Sequence, residues 1–205
     1  MSALRGLYRG LEALYGADSG VDPLDYLVPF TSSGAHRELV LVRESEDGGV
    51  EIGLALAEGA LECLEGRPHG SLLGDAALAD TLPVVEGLSH LLYLVEAVRR
   101  ERPVSGLELE TQAEVDKLAL CLIDRWPARQ DQFAGLVDRI FCQWSLLPGL
   151  DDALCERYQR ANRVALGFAR RLERTVRAGQ LGGLRRALRR FWSADMAGKL
   201  QLAGA

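Results

Sequence analysis

A chain of 205 residues, 48% hydrophobic and 26% charged, has the length of one domain and the composition of an ordinary globular protein, not of a disordered or fibrous one. No uninterrupted apolar run approaches the ~20 residues that span a bilayer; around His90 the longest is Leu91 to Val95. The net charge of −5 is uneven: eleven arginines against four carboxylates give +7 over residues 151–190, the remaining tail sums to zero, and the first 150 residues carry −12.

The opening stretch MSALRGLYRGLEALYG lacks the apolar core of a signal peptide and reads as an amphipathic helix, with Leu4, Leu7, Tyr8, Leu11, Leu14 and Tyr15 on one side. A Gly- and Asp-rich loop follows to Pro23. Residues 26–30 suit a short edge strand, since Pro29 bars a central one. Residues 38–44 and 50–56 alternate in the period of strands, and Ser45 to Gly49 between them suits a turn, so an antiparallel hairpin is expected. A lone hairpin is marginal in water and must lean on helices or a third strand. Residues 58–65 form a short helix. Gly66 to Ala79 is the one long irregular connection; such connections are more often functional than short ones, but its role is open.

Residues 82–126 hold the densest apolar pattern. They read as two helices joined by a turn at Pro103-Val104-Ser105 and packed antiparallel. On the first, Val84, Val85, Leu88, Leu91, Leu92, Val95 and Val98 form an apolar face. Glu86, Ser89, His90, Tyr93 and Glu96 fall on the opposite side. Pro83 belongs in a first turn, with Asp80 or Thr81 as cap. Ser105 and Glu108 match a capping box for the second helix. Pro127 should open a further helix running to about Trp144. Asp151 should cap the longest helix, ending near Arg177 with Gly179 beyond it. A basic helix covers residues 184–192, and Ser193 can cap a last one. The expected fold is mainly α: a bundle of six to eight helices with a small N-terminal antiparallel hairpin. It is read as one domain, 1–205, with 1–66 as an N-terminal subdomain and 80–205 as the helical core.

Three groups of residues bear on chemistry. Glu86 and His90 lie one turn apart, as do Glu110 and Glu114 on the next helix. Should their faces meet, three carboxylates and an imidazole would suit a divalent transition metal or general acid/base work. The spacing departs from the Glu-x-x-His of di-iron bundles, and the plainer expectation is a solvated pair on each helix. Arg185, Arg186, Arg189 and Arg190 form a polar face opposite Leu184, Leu188 and Phe191, able to grip an anion or an acidic partner, or to pair with the acidic half of the same chain. Tyr158 and Asn162 stand on an otherwise small and apolar face, where a buried amide needs a hydrogen bond, most simply to a neighbouring helix.

Cys63, Cys121, Cys142 and Cys155 lack metal or disulfide spacing and read as reduced, mostly buried thiols of a cytoplasmic protein. Only two of the 24 basic residues are lysines, Lys117 and Lys199, which points to a base-composition bias; a bacterial source is expected. His36 and His69 stand in loops. No nucleophile elbow or phosphate-cradling glycine pattern is present. The expected function is a non-catalytic helical adaptor or regulator working through a protein partner without a cofactor; the acidic total weighs against nucleic acid. The alternative is a metal-binding protein or metal-dependent enzyme using Glu86, His90, Glu110 and Glu114.

Overall fold

The computed structural model describes residues 2–30, 37–44, 49–67, 73–74, 78–124, 126, 128, 130–146 and 148–205. The hairpin turn at 45–48, most of the 66–79 connection, His36 and His69 lie outside them. The described residues form eight α-helices and one two-stranded antiparallel sheet, the mainly helical class with an N-terminal hairpin that the pattern predicts. The chain divides into two compact units, Met1–Val104 and Ser105–Ala205.

In the first unit, α1 (Ser2–Tyr15) buries all six residues of its expected apolar side. Its first-turn amides, on Ala3 and Leu4, donate to the Glu65 carboxylate at 3.1 and 3.2 Å, placed there by α2 (Glu58–Glu65). That meets two of the orphan donors every helix start leaves. Tyr8 is buried with its hydroxyl 3.1 Å from Ser19 Oγ, and burial pushes its phenol pKa up to about 12. Asp22 caps a 3₁₀ turn at Pro23–Tyr26 and accepts from Arg5 Nε at 2.8 Å. The expected edge strand shrinks to a single bridge, Leu27 to Leu54, with the Val28 amide donating to the Leu54 carbonyl at 3.0 Å.

Strands β1 (Glu38–Glu44) and β2 (Val50–Leu56) pair from Glu38↔Leu56 to Glu44↔Val50. The hairpin leans on α3 (Leu78–Arg99) where Gly87 removes a side chain: a Cβ there would stand 2.8 Å from Leu54 Cδ1 and 3.1 Å from Leu56 Cδ2. The other face meets Val28, whose side chain would touch a Cβ on Gly53. Leu54, Ala55 and Leu56 are therefore all buried, and the alternation ends at the base of the hairpin.

Helix α3 begins earlier than its composition suggests, so Pro83 sits past the first turn and deprives the Ala79 carbonyl of its helical donor. Arg37 Nη1 supplies the donor at 3.0 Å, and its guanidinium also meets Asp80. At the other end Glu101 takes a left-handed φ of 50°, and the Arg102 amide closes onto the Ala97 carbonyl at 2.9 Å. By length and composition α3 alone among the described residues could cross a membrane, with a mean hydropathy of 1.3; 67% of that window is buried inside the protein.

The second unit is built on α6 (Asp152–Arg177), which packs against α4 (Gly106–Asp124), α5 (Phe133–Phe141), α7 (Leu181–Ser193) and α8 (Met196–Ala203). Ser105 caps α4, its Oγ accepting from the Glu108 amide at 3.2 Å, and Asp151 caps α6, accepting from the Leu154 amide at 2.7 Å. Phe168 on α6 stacks on Phe191 of α7 with ring centroids 4.2 Å apart. Two expectations are corrected. Helix α5 starts at Phe133 instead of at Pro127, because residues 128–132 supply no large apolar side chain to bury. Helix α8 is capped by Asp195, not Ser193, through the Gly198 amide at 2.8 Å.

Candidate functional site

Glu86 and His90 lie on α3 in the first unit, and Glu110 and Glu114 on α4 in the second, so each unit by itself contributes two of the four. The expectation of hydrated polar faces is overturned for both helices. On α3, Ser89, His90, Tyr93 and Glu96 are buried along with the apolar residues. His90 Nδ1 is 3.9 Å from Glu38 Oε2 on β1, and Glu38 reaches it through the gap that Gly87 leaves, where a Cβ would lie 3.2 Å from the same oxygen. At 3.9 Å this is an electrostatic contact, too long for a hydrogen bond. Glu86 is half-buried. On α4, Glu108 and Glu110 are buried, and Glu114 is tied to Lys117 at 2.6 Å with both side chains largely covered.

The most tightly enclosed polar group escaped sequence reasoning. Lys199 on α8 has no solvent-exposed surface; its ammonium donates to Gln112 Oε1 at 2.6 Å and to the Phe191 carbonyl at 2.7 Å, and stands 4.5 Å from the centre of the Phe191 ring. Gln112 Nε2 in turn donates to Asp116 Oδ1 at 2.8 Å, so ammonium, amide and carboxylate form a chain across α4, α7 and α8. A buried charge persists only when hydrogen-bonded and compensated. With no surface open to a substrate, this network ties helices together. The available hint was Gln112 and Asp116 one turn apart and a lysine in an arginine-rich chain.

The basic surface is placed as expected. Leu184, Leu188, Phe191 and Trp192 are buried, while Arg185, Arg186, Arg189 and Arg190 are exposed. Among the described residues Arg185, Arg186 and Arg190 have no ion-pair partner. Asn162 makes the interhelical bond its position calls for: Nδ2 donates at 3.0 Å to the carbonyl of Phe141, the last residue of α5. Tyr158 beside it is half-buried.

Among the described residues, two pockets lie each within one unit. One of about 210 Å³ lies between α5 and α6, lined by Phe133, Val137 and Leu166 with Asp138, Arg170 and Glu173. The other, about 310 Å³, is polar and lies beside Asp18, Glu96, Arg99 and Arg100; Glu96 already pairs with both arginines, and Arg99 also donates to the backbone carbonyl of Asp18. None of the four cysteines forms a disulfide, and only Cys121 is buried; Cys63 and Cys142 are exposed, contrary to the expectation of mostly buried thiols. Comparison of the chain with protein-family models, curated proteins and solved structures found no match.

Proposed function

We propose that this protein is a non-catalytic interaction protein of the cytoplasm, an adaptor or regulator whose arginine face on α7 binds an acidic protein partner. The observation that carries this reading is the exposure of Arg185, Arg186 and Arg190 with no ion pair among the described residues. Guanidinium groups grip carboxylates in pairs of parallel hydrogen bonds, and exposed ones left unpaired are available to do so. The apolar side of α7 is committed to the core, so its outward face is free to work without unfolding anything. Cysteines without disulfides suit a reducing compartment.

The experiment is titration with poly-glutamate as an acidic-protein mimic, for the wild-type chain and for the variant with all four α7 arginines changed to Gln. The wild type should bind with an affinity that falls as salt rises, and the variant should bind clearly more weakly at an unchanged Tm. Undiminished binding in the variant overturns the reading. So does a lowered Tm, which would show these arginines serving the fold.

A further inference from the structure

We propose that the outer face of α6 is the seat of an acidic α-helix supplied by the partner protein, gripped by Arg163, Arg170, Arg174 and Arg177. The inference rests on the interaction-protein reading and names the partner's local structure at a second surface. Helix α6 buries Ala161, Val164, Ala165, Phe168, Ala169, Leu172 and Val176 on its inner side. Outside, Arg163, Arg170 and Arg177 recur every seven residues, and Arg160 and Arg174 stand fourteen apart; all five are exposed. A seven-residue repeat drifts only about 20° per heptad, so Arg163 to Arg177 make a nearly straight row about 21 Å long.

The helix dipole accounts for only part of the row: Arg174 and Arg177 stand in the last turn of α6, where positive charge is favourable, but Arg163 and Arg170 do not. Exposed helix faces mix signs, with acid–base pairs three or four residues apart. Between Arg157 and Arg177 the only acid is Glu173, which pairs with Arg177 at 2.7 Å, the two side chains 44% and 65% exposed. Arg160, Arg163, Arg170, Arg171 and Arg174 have no ion pair among the described residues. Like charges one turn apart, as at Arg170 and Arg174, destabilise a helix unless an external anion relieves them.

The ground beside the row favours a helix as that anion. Gly167, midway between Arg160 and Arg174, is where α8 ends: a Cβ there would stand 2.9 Å from the Ala203 carbonyl oxygen. On the other flank lies the pocket of about 210 Å³, lined by Phe133, Val137 and Leu166 together with Asp138, Arg170 and Glu173. An acidic helix carrying one large apolar side chain can place carboxylates on the arginines and that side chain in the pocket. Two adjacent helices share the same rise per turn, so carboxylates at heptad spacing meet the row along its length. Duplex phosphates follow a curved path, and the chain's net charge of −5 opposes their approach.

The test uses the full chain and fluorescence anisotropy with three probes: a synthetic helix of about three heptads bearing Glu at the matching positions and one Leu, a peptide of the same composition with the Glu positions scrambled, and a short DNA duplex. The patterned helix should bind in a salt-dependent manner, and the scrambled one about tenfold more weakly or worse. Arg163→Glu/Arg170→Glu/Arg177→Glu should abolish binding, and a peptide with Lys in place of Glu should restore it to that variant, which also shows the variant is folded. Equal binding of both peptides, tighter binding of the duplex, or indifference to the triple variant overturns the inference. If the patterned helix instead depends on the α7 arginines, this seat is wrong while the interaction reading stands.

Discussion

Lys199 Nζ lies 2.6 Å from Gln112 Oε1, 87 residues away in sequence, and neither residue has any surface open to solvent. The bond fastens the last helix of the chain to α4. Removing one member of a buried charged network strands the others, which typically costs about 3–5 kcal/mol. Lys199→Ala should therefore lower the unfolding free energy by that order in chemical denaturation followed by circular dichroism. Lys199→Met, which keeps the stem over the Phe191 ring, should cost less. A loss below about 1 kcal/mol for the alanine variant would mean that water replaces the ammonium freely.

At the end of α3, Glu101 is the only non-glycine residue in the left-handed region among the described residues. That conformation costs a residue with a Cβ roughly 1 kcal/mol, and glycine avoids it. Part of the gain is offset by the greater freedom of glycine in the unfolded chain. Glu101→Gly should raise stability by about 0.5 kcal/mol, and a lowered Tm would show that the Glu101 side chain matters more than its backbone.

The Arg37–Ala79 bond predicts coupling to Pro83. Arg37→Met leaves the Ala79 carbonyl without its substitute donor and should cost about 1 kcal/mol. In a Pro83→Ala background the helix regains its own amide donor, so the same change should cost less. A double-mutant cycle should return a coupling of at least about 0.5 kcal/mol. Strict additivity would sever the link between the arginine and the proline.

Two groups set opposite pH limits. The side-chain hydrogen bond from Arg5, followed by the Leu24 amide, holds the Asp22 carboxyl below its usual value. A depressed folded pKa gives stability that is complete above the unfolded value of ~3.9 and lost as pH falls through the folded one. Between pH 5 and 2, Tm should fall less steeply in Asp22→Asn than in the wild type. Burial raises the Tyr8 phenol to about 12, so its contribution is complete below the unfolded value and drains away as pH climbs from about 10 to about 12. Tyr8→Phe should flatten that alkaline limb; parallel limbs would dismiss Tyr8 as its source.

The parts of the fold legible in the sequence are those that local periodicity and caps decide. The bounds of both strands follow from period-two alternation, and the limits of α6 from Asp151 and Gly179, which adopts a φ of 66°. Asn162 was legible because a polar amide on a small apolar face has few other uses. What was hidden depends on partners far off in sequence. The polar side of α3 reads as solvated until β1 brings Glu38 to His90, 52 residues later in the chain. A helix covered all round has no side that hydropathy can mark as outer. The Lys199 network was hidden for the same reason, its members being separated by most of the second unit.

The chain has only two lysines, and both are withdrawn: Lys199 is sealed in the core, and Lys117, 11% exposed, is clasped by Glu114. Side-chain amines are therefore nearly unreachable on a surface dense in positive charge. Amine-reactive cross-linkers and acylating labels, the usual tools for trapping a partner, should leave the side chains of the folded protein almost untouched. Dicarbonyl reagents directed at guanidinium groups should modify it readily on α6 and α7, and protection of those arginines would footprint whatever binds there.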